Sequence, residues 1–150
     1  MTPLSKVFHI VSILIFAVSL AAFSADWPSF HGPNRTNRSA ETGLLQRWPE
    51  GGPRLLWTAS GLGKGYSGAT TWDGAVYTAG VVDRVHHVFA FNANTGSLLW
   101  KAQAGRSWEG RNAFARAFEG SRATPTVDPA SSTVYYLTDV GLLVALDAKT

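Results

Sequence analysis

The sequence predicts an all-β fold made of repeated four-stranded antiparallel units, and three observations carry that prediction. The first is that part of the chain is written twice. Ser67-Gly68-Ala69-Thr70-Thr71-Trp72-Asp73 aligns with Arg122-Ala123-Thr124-Pro125-Thr126-Val127-Asp128, 55 residues on. Val76-Tyr77 then aligns with Val134-Tyr135 at an offset of 58, and Ala90-Phe91-Asn92-Ala93-Asn94-Thr95 with Ala145-Leu146-Asp147-Ala148-Lys149-Thr150 at 55 again. Residues added at Ala130-Ser131-Ser132 account for the shift. The second observation is a shorter echo, in which Leu55-Leu56-Trp57 recurs as Leu98-Leu99-Trp100, 43 residues later. The third is grammar: from Leu55 onward short apolar runs alternate with turn residues, and no span from Asp26 holds the apolar period of a helix. Strand-and-turn units recurring every ~40–50 residues mark a β-propeller, a ring of four-stranded blades around a channel. About two blades are visible, whereas closure takes about four or more. The second copy stops at Thr150, inside a turn that the first copy completes with Gly96. The chain therefore reads as the N-terminal fragment of a larger propeller, because a strand left there would carry a bare edge.

Residues 1–24 read as an export signal. Lys6 supplies the positive start, Val7 to Phe23 is mostly apolar, and Ala22-Phe23-Ser24 offers small residues for cleavage. The alternative is a retained membrane anchor, although His9, Ser12 and Ser19 interrupt the apolar run. Cleavage leaves no stable membrane span and places the mature protein in the periplasm or outside the cell. Residues 25–54 are rich in Pro, Gly, Asn and Arg and read as an extended arm, pinned by Trp27, Phe30 and Trp48. Residues 55–104 make the first blade. Its strands are expected at Leu55–Ala59, Gly68–Trp72, Ala75–Gly80, His87–Asn92 and Leu98–Gln103. Asp73-Gly74 forms a two-residue hairpin turn, because Gly accepts positive φ without a Cβ clash. Residues 105–122 interrupt the repeat as an inserted loop. Residues 123–150 begin a second, incomplete blade, with strands at Ala123–Val127, Thr133–Thr138 and Leu142–Asp147.

Composition excludes several function classes. The chain has no cysteine, so disulfides, thiolate metal sites and lipid attachment through cysteine are absent from this stretch. Without Lys6 it carries 12 basic against 10 acidic residues, too small a bias for a nucleic-acid partner. No Gly-rich phosphate loop, nucleophile elbow or paired-carboxylate signature is present.

Trp57 and Trp100 occupy the same place in successive copies, which points to structural packing on an outer strand; a ligand-stacking role would not need repetition. Asn92 to Gly96 and Asp147 to Thr150 fit Asx turns, in which a short polar side chain bonds the backbone two residues on, better than cation ligands. Asn92, Gly96 and Asp147 thus join the two tryptophans as marks of the repeat. His86 and His87 are adjacent, so on a strand they face opposite ways and cannot chelate one metal together. Asn34-Arg35-Thr36 and Asn37-Arg38-Ser39 match the glycosylation acceptor pattern. The inserted loop is the strongest binding candidate. It mixes Arg106, Arg111 and Arg116 with Trp108, Phe114 and Phe118, and Arg with aromatics is the composition of binding hot spots. The competing reading is that these aromatics only cap the blade.

Val88-Phe89-Ala90-Phe91-Asn92-Ala93-Asn94-Thr95-Gly96-Ser97-Leu98-Leu99-Trp100-Lys101 resembles the repeat of pyrroloquinoline-quinone-like β-propellers. Asp26-Trp27-Pro28-Ser29-Phe30-His31-Gly32-Pro33-Asn34-Arg35 is similar to the N-terminal signature of exported members of that family. The resemblance implies either of two functions. One is a non-catalytic scaffold that binds a protein or small-molecule partner. The other is a dehydrogenase that oxidises alcohols or sugars with the quinone (PQQ) and calcium, its cofactor site built by blades beyond this stretch. The chain lacks the adjacent-cysteine disulfide of many such dehydrogenases and the lipid-attachment cysteine of the assembly lipoprotein in the same family. The expectation is a binding scaffold, with no cofactor residue transferable onto a position here.

Overall fold

The computed structural model describes residues 25–110 and 112–150; the expected signal segment, and Arg111 of the loop, lie outside these. The fold is mostly β. A four-stranded antiparallel sheet runs β1 (Thr70–Trp72), β2 (Ala75–Val82), β3 (Val85–Asn92) and β4 (Leu98–Arg106), in that spatial order. A single four-residue helix, α1 (Ala113–Arg116), follows among the described residues. A second antiparallel sheet is formed by β5 (Thr126–Asp128), β6 (Thr133–Leu137) and β7 (Leu143–Asp147). Each sheet is a meander, as short turns between successive strands require.

Local chemistry sets these bounds. Asp73 and Gly74 take φ of 49° and 74°, the two positive values of a type I′ turn, whose twist matches the strands it joins. β5 starts at Thr126 rather than at Ala123, because Pro125 has no N–H to give a ladder. β1 likewise starts two residues later than expected: the Gly68 N–H is engaged by Thr124 Oγ1 at 3.2 Å instead of a neighbouring strand. β4 runs on to Arg106, opposite Val85, so Gly105 and Arg106 belong to the sheet and not to the loop.

The expected strand Leu55–Ala59 does not form. A strand is stable only when its N–H and C=O groups find a partner, and none of the described strands lies beside this segment. Its Trp57 side chain is nevertheless seated. The indole N–H donates to Ala93 O at 2.8 Å, and Gly96, at φ 71°, leaves the space the ring fills; a Cβ there would sit 2.6 Å from the indole. Trp100 repeats the arrangement one unit on, donating to Ala148 O at 3.0 Å. Ala93 and Ala148 are repeat equivalents, so each Trp clasps the turn of the next sheet. In those turns Asn92 Oδ1 accepts from the N–H of Asn94 and Thr95 at 3.0 Å each, and Asp147 Oδ1 accepts from Lys149 and Thr150 at 2.7 and 3.1 Å.

The arm is held by its backbone and Trp27. Trp27 exchanges two 3.0 Å hydrogen bonds with Thr71 on the open edge of β1, and Pro28 O accepts from Val127 N at 2.7 Å on β5. The expected pinning by Phe30 and Trp48 is not seen, since both rings are exposed.

The core lies between the two sheets. Ala75, Tyr77, Ala79, Val88 and Ala90 of the first pack with Val127, Val134 and Tyr136 of the second. The ladders show how the copies correspond. Ala75 opposes Asn92 as Thr133 opposes Asp147, Tyr77 opposes Ala90 as Tyr135 opposes Ala145, and Ala79 opposes Val88 as Leu137 opposes Leu143. The 58-residue offset of β2 and the 55-residue offset of β3 are therefore the structural ones. In β1 the correspondence slips by one, because Asp128 rather than Val127 stands where Trp72 does, one pair from the turn.

Candidate functional site

Adjacent residues on a strand face opposite ways, and His86 and His87 illustrate it. His87 lies on the outer face beside Phe89, its Nδ1 bonded to Val85 O at 3.0 Å. His86 points between the sheets, wholly buried, and bonds Tyr136 Oη through Nδ1 and Asp139 Oδ1 through Nε2, each at 2.8 Å. Tyr136 Oη continues to Ser121 Oγ at 2.6 Å. Asp139 Oδ2 accepts from the Ser107 hydroxyl at 2.7 Å, and its Oδ1 also accepts from Trp108 N at 3.0 Å. One hydrogen-bonded chain thus runs from β3 through β6 to both ends of the inserted loop. A buried imidazole without partners would cost several kcal/mol; here both ring nitrogens are satisfied.

The electrostatics follow the same chain. Burial raises the Asp139 carboxyl, but the hydrogen bonds from Trp108, His86 and Ser107 outweigh it and hold it below its ordinary value, so it is ionised at neutral pH. Burial pushes the Tyr136 phenol up, Ser121 opposes this, and the Asp139 charge adds to it. Tyr136 is neutral and can donate.

This anchoring places Trp108, 45% exposed, between two clefts. The first, of about 390 Å³, is walled by Trp108 and Phe118 and carries Arg122, Thr138 and Asp139. The second, of about 520 Å³, lies against Lys64, Asp83, Arg84, Glu109, Arg116 and Glu119, with Val81 and Trp108 as its apolar part. Several of its charges are engaged within the loop and its frame. Lys64 meets Glu119 at 3.3 Å, Arg84 pairs with Glu109, and Arg116 Nε donates to Gly110 O at 3.1 Å. Glu119 also accepts from Gly110 N at 2.8 Å, and that bond, with the Lys64 contact, holds its carboxyl below the ordinary value.

The predicted loop residues separate. Trp108 and Phe118 share the first cleft, and Arg116 lines the second. Phe114 is exposed on α1 and meets Phe118 edge-on at 5.0 Å between centroids. Arg106 ends β4, in the sheet, and lines neither cleft. Ser107, Ser121, Arg122, Tyr136 and Asp139 were not legible as site residues. Asp139 and Ser107 are 32 residues apart in sequence, and no local motif marks either. His31 is bonded to Asn37 at 2.8 Å in the arm and does not approach His86. Among the described residues no three His, Asp or Glu side chains converge where a cation could sit. No step through quinone or calcium is assigned to the described residues. No helix among the described residues is long and apolar enough to cross a membrane. No family model matches the chain, and no curated protein matches it.

Proposed function

We propose that the two sheets are consecutive blades of an exported β-propeller, and that the protein acts as a binding scaffold whose inserted loop takes its ligand or partner. The observation that carries the binding role is the position of Trp108. An exposed aromatic at the shared wall of two clefts, set on a loop tied to the sheets by a hydrogen-bonded chain that starts at the buried His86, is the arrangement of a preorganised recognition surface. The blade reading is supported by the equivalent ladders, by the approach of β1 to β5 at one edge, and by the Trp57 and Trp100 clasps at the other.

Two measurements test this. A titration panel of sugars, carboxylic acids, and quinone with Ca²⁺ on the exported protein is expected to find a ligand whose binding Trp108→Ala abolishes. Binding that survives deletion of residues 108–119 would overturn the loop's role. Retained quinone with substrate-dependent dye reduction would replace the scaffold by the dehydrogenase. For the blades, radical footprinting of the exported protein is expected to find Tyr135 as protected as Tyr77, because a further blade would cover it; a freely labelled Tyr135 would overturn the propeller.

A further inference from the structure

We infer that the cleft between Trp108 and Phe118 binds an acidic saccharide, with Arg122 on the carboxylate and Asp139 on a ring hydroxyl. The inference rests on the loop being the binding site, and it names the ligand class. Lys64 and Arg84 meet carboxylates in the second cleft, where Arg116 gives one hydrogen bond to a backbone carbonyl, and Arg122 is the cation that lines the first. Arg122 has no carboxylate partner among the described residues. A guanidinium carries five N–H donors, and that of Arg122 gives one hydrogen bond, from Nη2 to Phe118 O at 2.6 Å. The remaining fork is free beside the cleft, in the planar geometry that matches a carboxylate.

Asp139 decides the rest of the ligand. An ionised carboxylate accepts at about four positions, and three are used, by His86, Trp108 N and Ser107. The open one, on Oδ2, asks for a donor close to the group that Arg122 attracts. Benzoate offers a flat face and a carboxylate but nothing for Asp139 to accept. A neutral sugar offers hydroxyls but leaves the Arg122 fork unmatched. A uronate offers a carboxylate, neighbouring hydroxyl donors and an apolar ring face for Trp108. The volume of about 390 Å³ sits at the small end of ligand clefts and suits one or two sugar rings.

The test is calorimetric titration of the exported protein with galacturonate, galactose and benzoate. Galacturonate is expected to bind at least about tenfold more tightly than either, the worth of one charge-assisted bidentate contact. Arg122→Ala is expected to bring galacturonate down to the level of galactose, and Arg122→Lys, which keeps a donor for Phe118 O, to fall between. Rising salt is expected to weaken galacturonate alone. Equal binding of galacturonate and galactose, tighter benzoate, or no galacturonate binding at millimolar concentration would overturn the inference. If galacturonate fails while another ligand is lost in Trp108→Ala, the ligand class falls and the binding loop stands. If Trp108→Ala changes no binding at all, both fall.

Discussion

Tyr77 and Tyr135 stand at the same rung of the same ladder, one opposite Ala90 and the other opposite Ala145, yet Tyr77 is 1% exposed and Tyr135 is 39% exposed. The neighbouring positions reverse the pattern. Thr78 is only half-buried in the first sheet, while its equivalent Tyr136 is wholly buried in the second. The sheets therefore meet through opposite faces of one repeat, head to tail. Each sheet keeps one face that the other sheet does not use. On the second sheet the unused face shows Tyr135, Leu137 and Leu143. On the first, the outer face is covered instead by the segment before β1: Trp57 lies over Phe91, and Leu62 O stands where a Cβ on Gly80 would be.

The comparison can be broken most directly at the two tyrosines. Tyr77→Ala is expected to cost about 3–5 kcal/mol by opening a cavity in the shared core, and Tyr135→Ala about as much where the proposed further blade covers it, against less than about 1 kcal/mol where the ring stays exposed. Chemical denaturation of both variants checks this, and equal losses would mean that a further sheet covers the second one. His86→Ala is expected to cost about 3 kcal/mol, because Tyr136 and Asp139 lose a buried partner together. Hydrogen exchange should then rise in the loop and at β6, and a rise confined to β3 would show that the chain of bonds does not couple the sheets.

Alkaline titration sharpens the same contrast. Burial pushes the Tyr77 phenol up to about 12, with smaller contributions from the Asp73, Asp26 and Asp147 charges. Between its ordinary 10.0 and that value the folded state keeps a proton that the unfolded state has lost, so stability falls as pH rises through this window. The loss is of order 2 kcal/mol, and Tyr77→Phe should remove most of it, whereas Tyr135→Phe should leave it intact. A small effect is expected at the clasps: Trp57→Phe and Trp100→Phe each lose one indole hydrogen bond, worth about 1 kcal/mol. Thermal unfolding that separates the two by much more would show that the clasps are not equivalent.

Much of this was legible in advance. The Asp73-Gly74 turn, the two meanders, the Trp57 and Trp100 echo and the Asx turns all depend on residues within a few positions of one another, or on repetition that a single chain displays. The low helix content followed from the missing period. The misread segment, Leu55–Ala59, has the composition of a strand, but pairing is a property of two segments. In the loop, Trp108 and Phe118 stood out by type, and Arg111 lies outside the described residues.

What the sequence by itself determined is the repeating strand-and-turn unit, because alternation, turn chemistry and repeat spacing act over short range. Only the tertiary structure decided which face of each sheet is buried, since both faces are apolar enough to pack and the choice falls to the neighbour. It also decided the site. His86, Tyr136, Asp139 and Ser107 become one hydrogen-bonded chain only where β3, β6 and the loop meet, and the residues of that chain are ordinary until the fold brings them together and buries His86 and Tyr136.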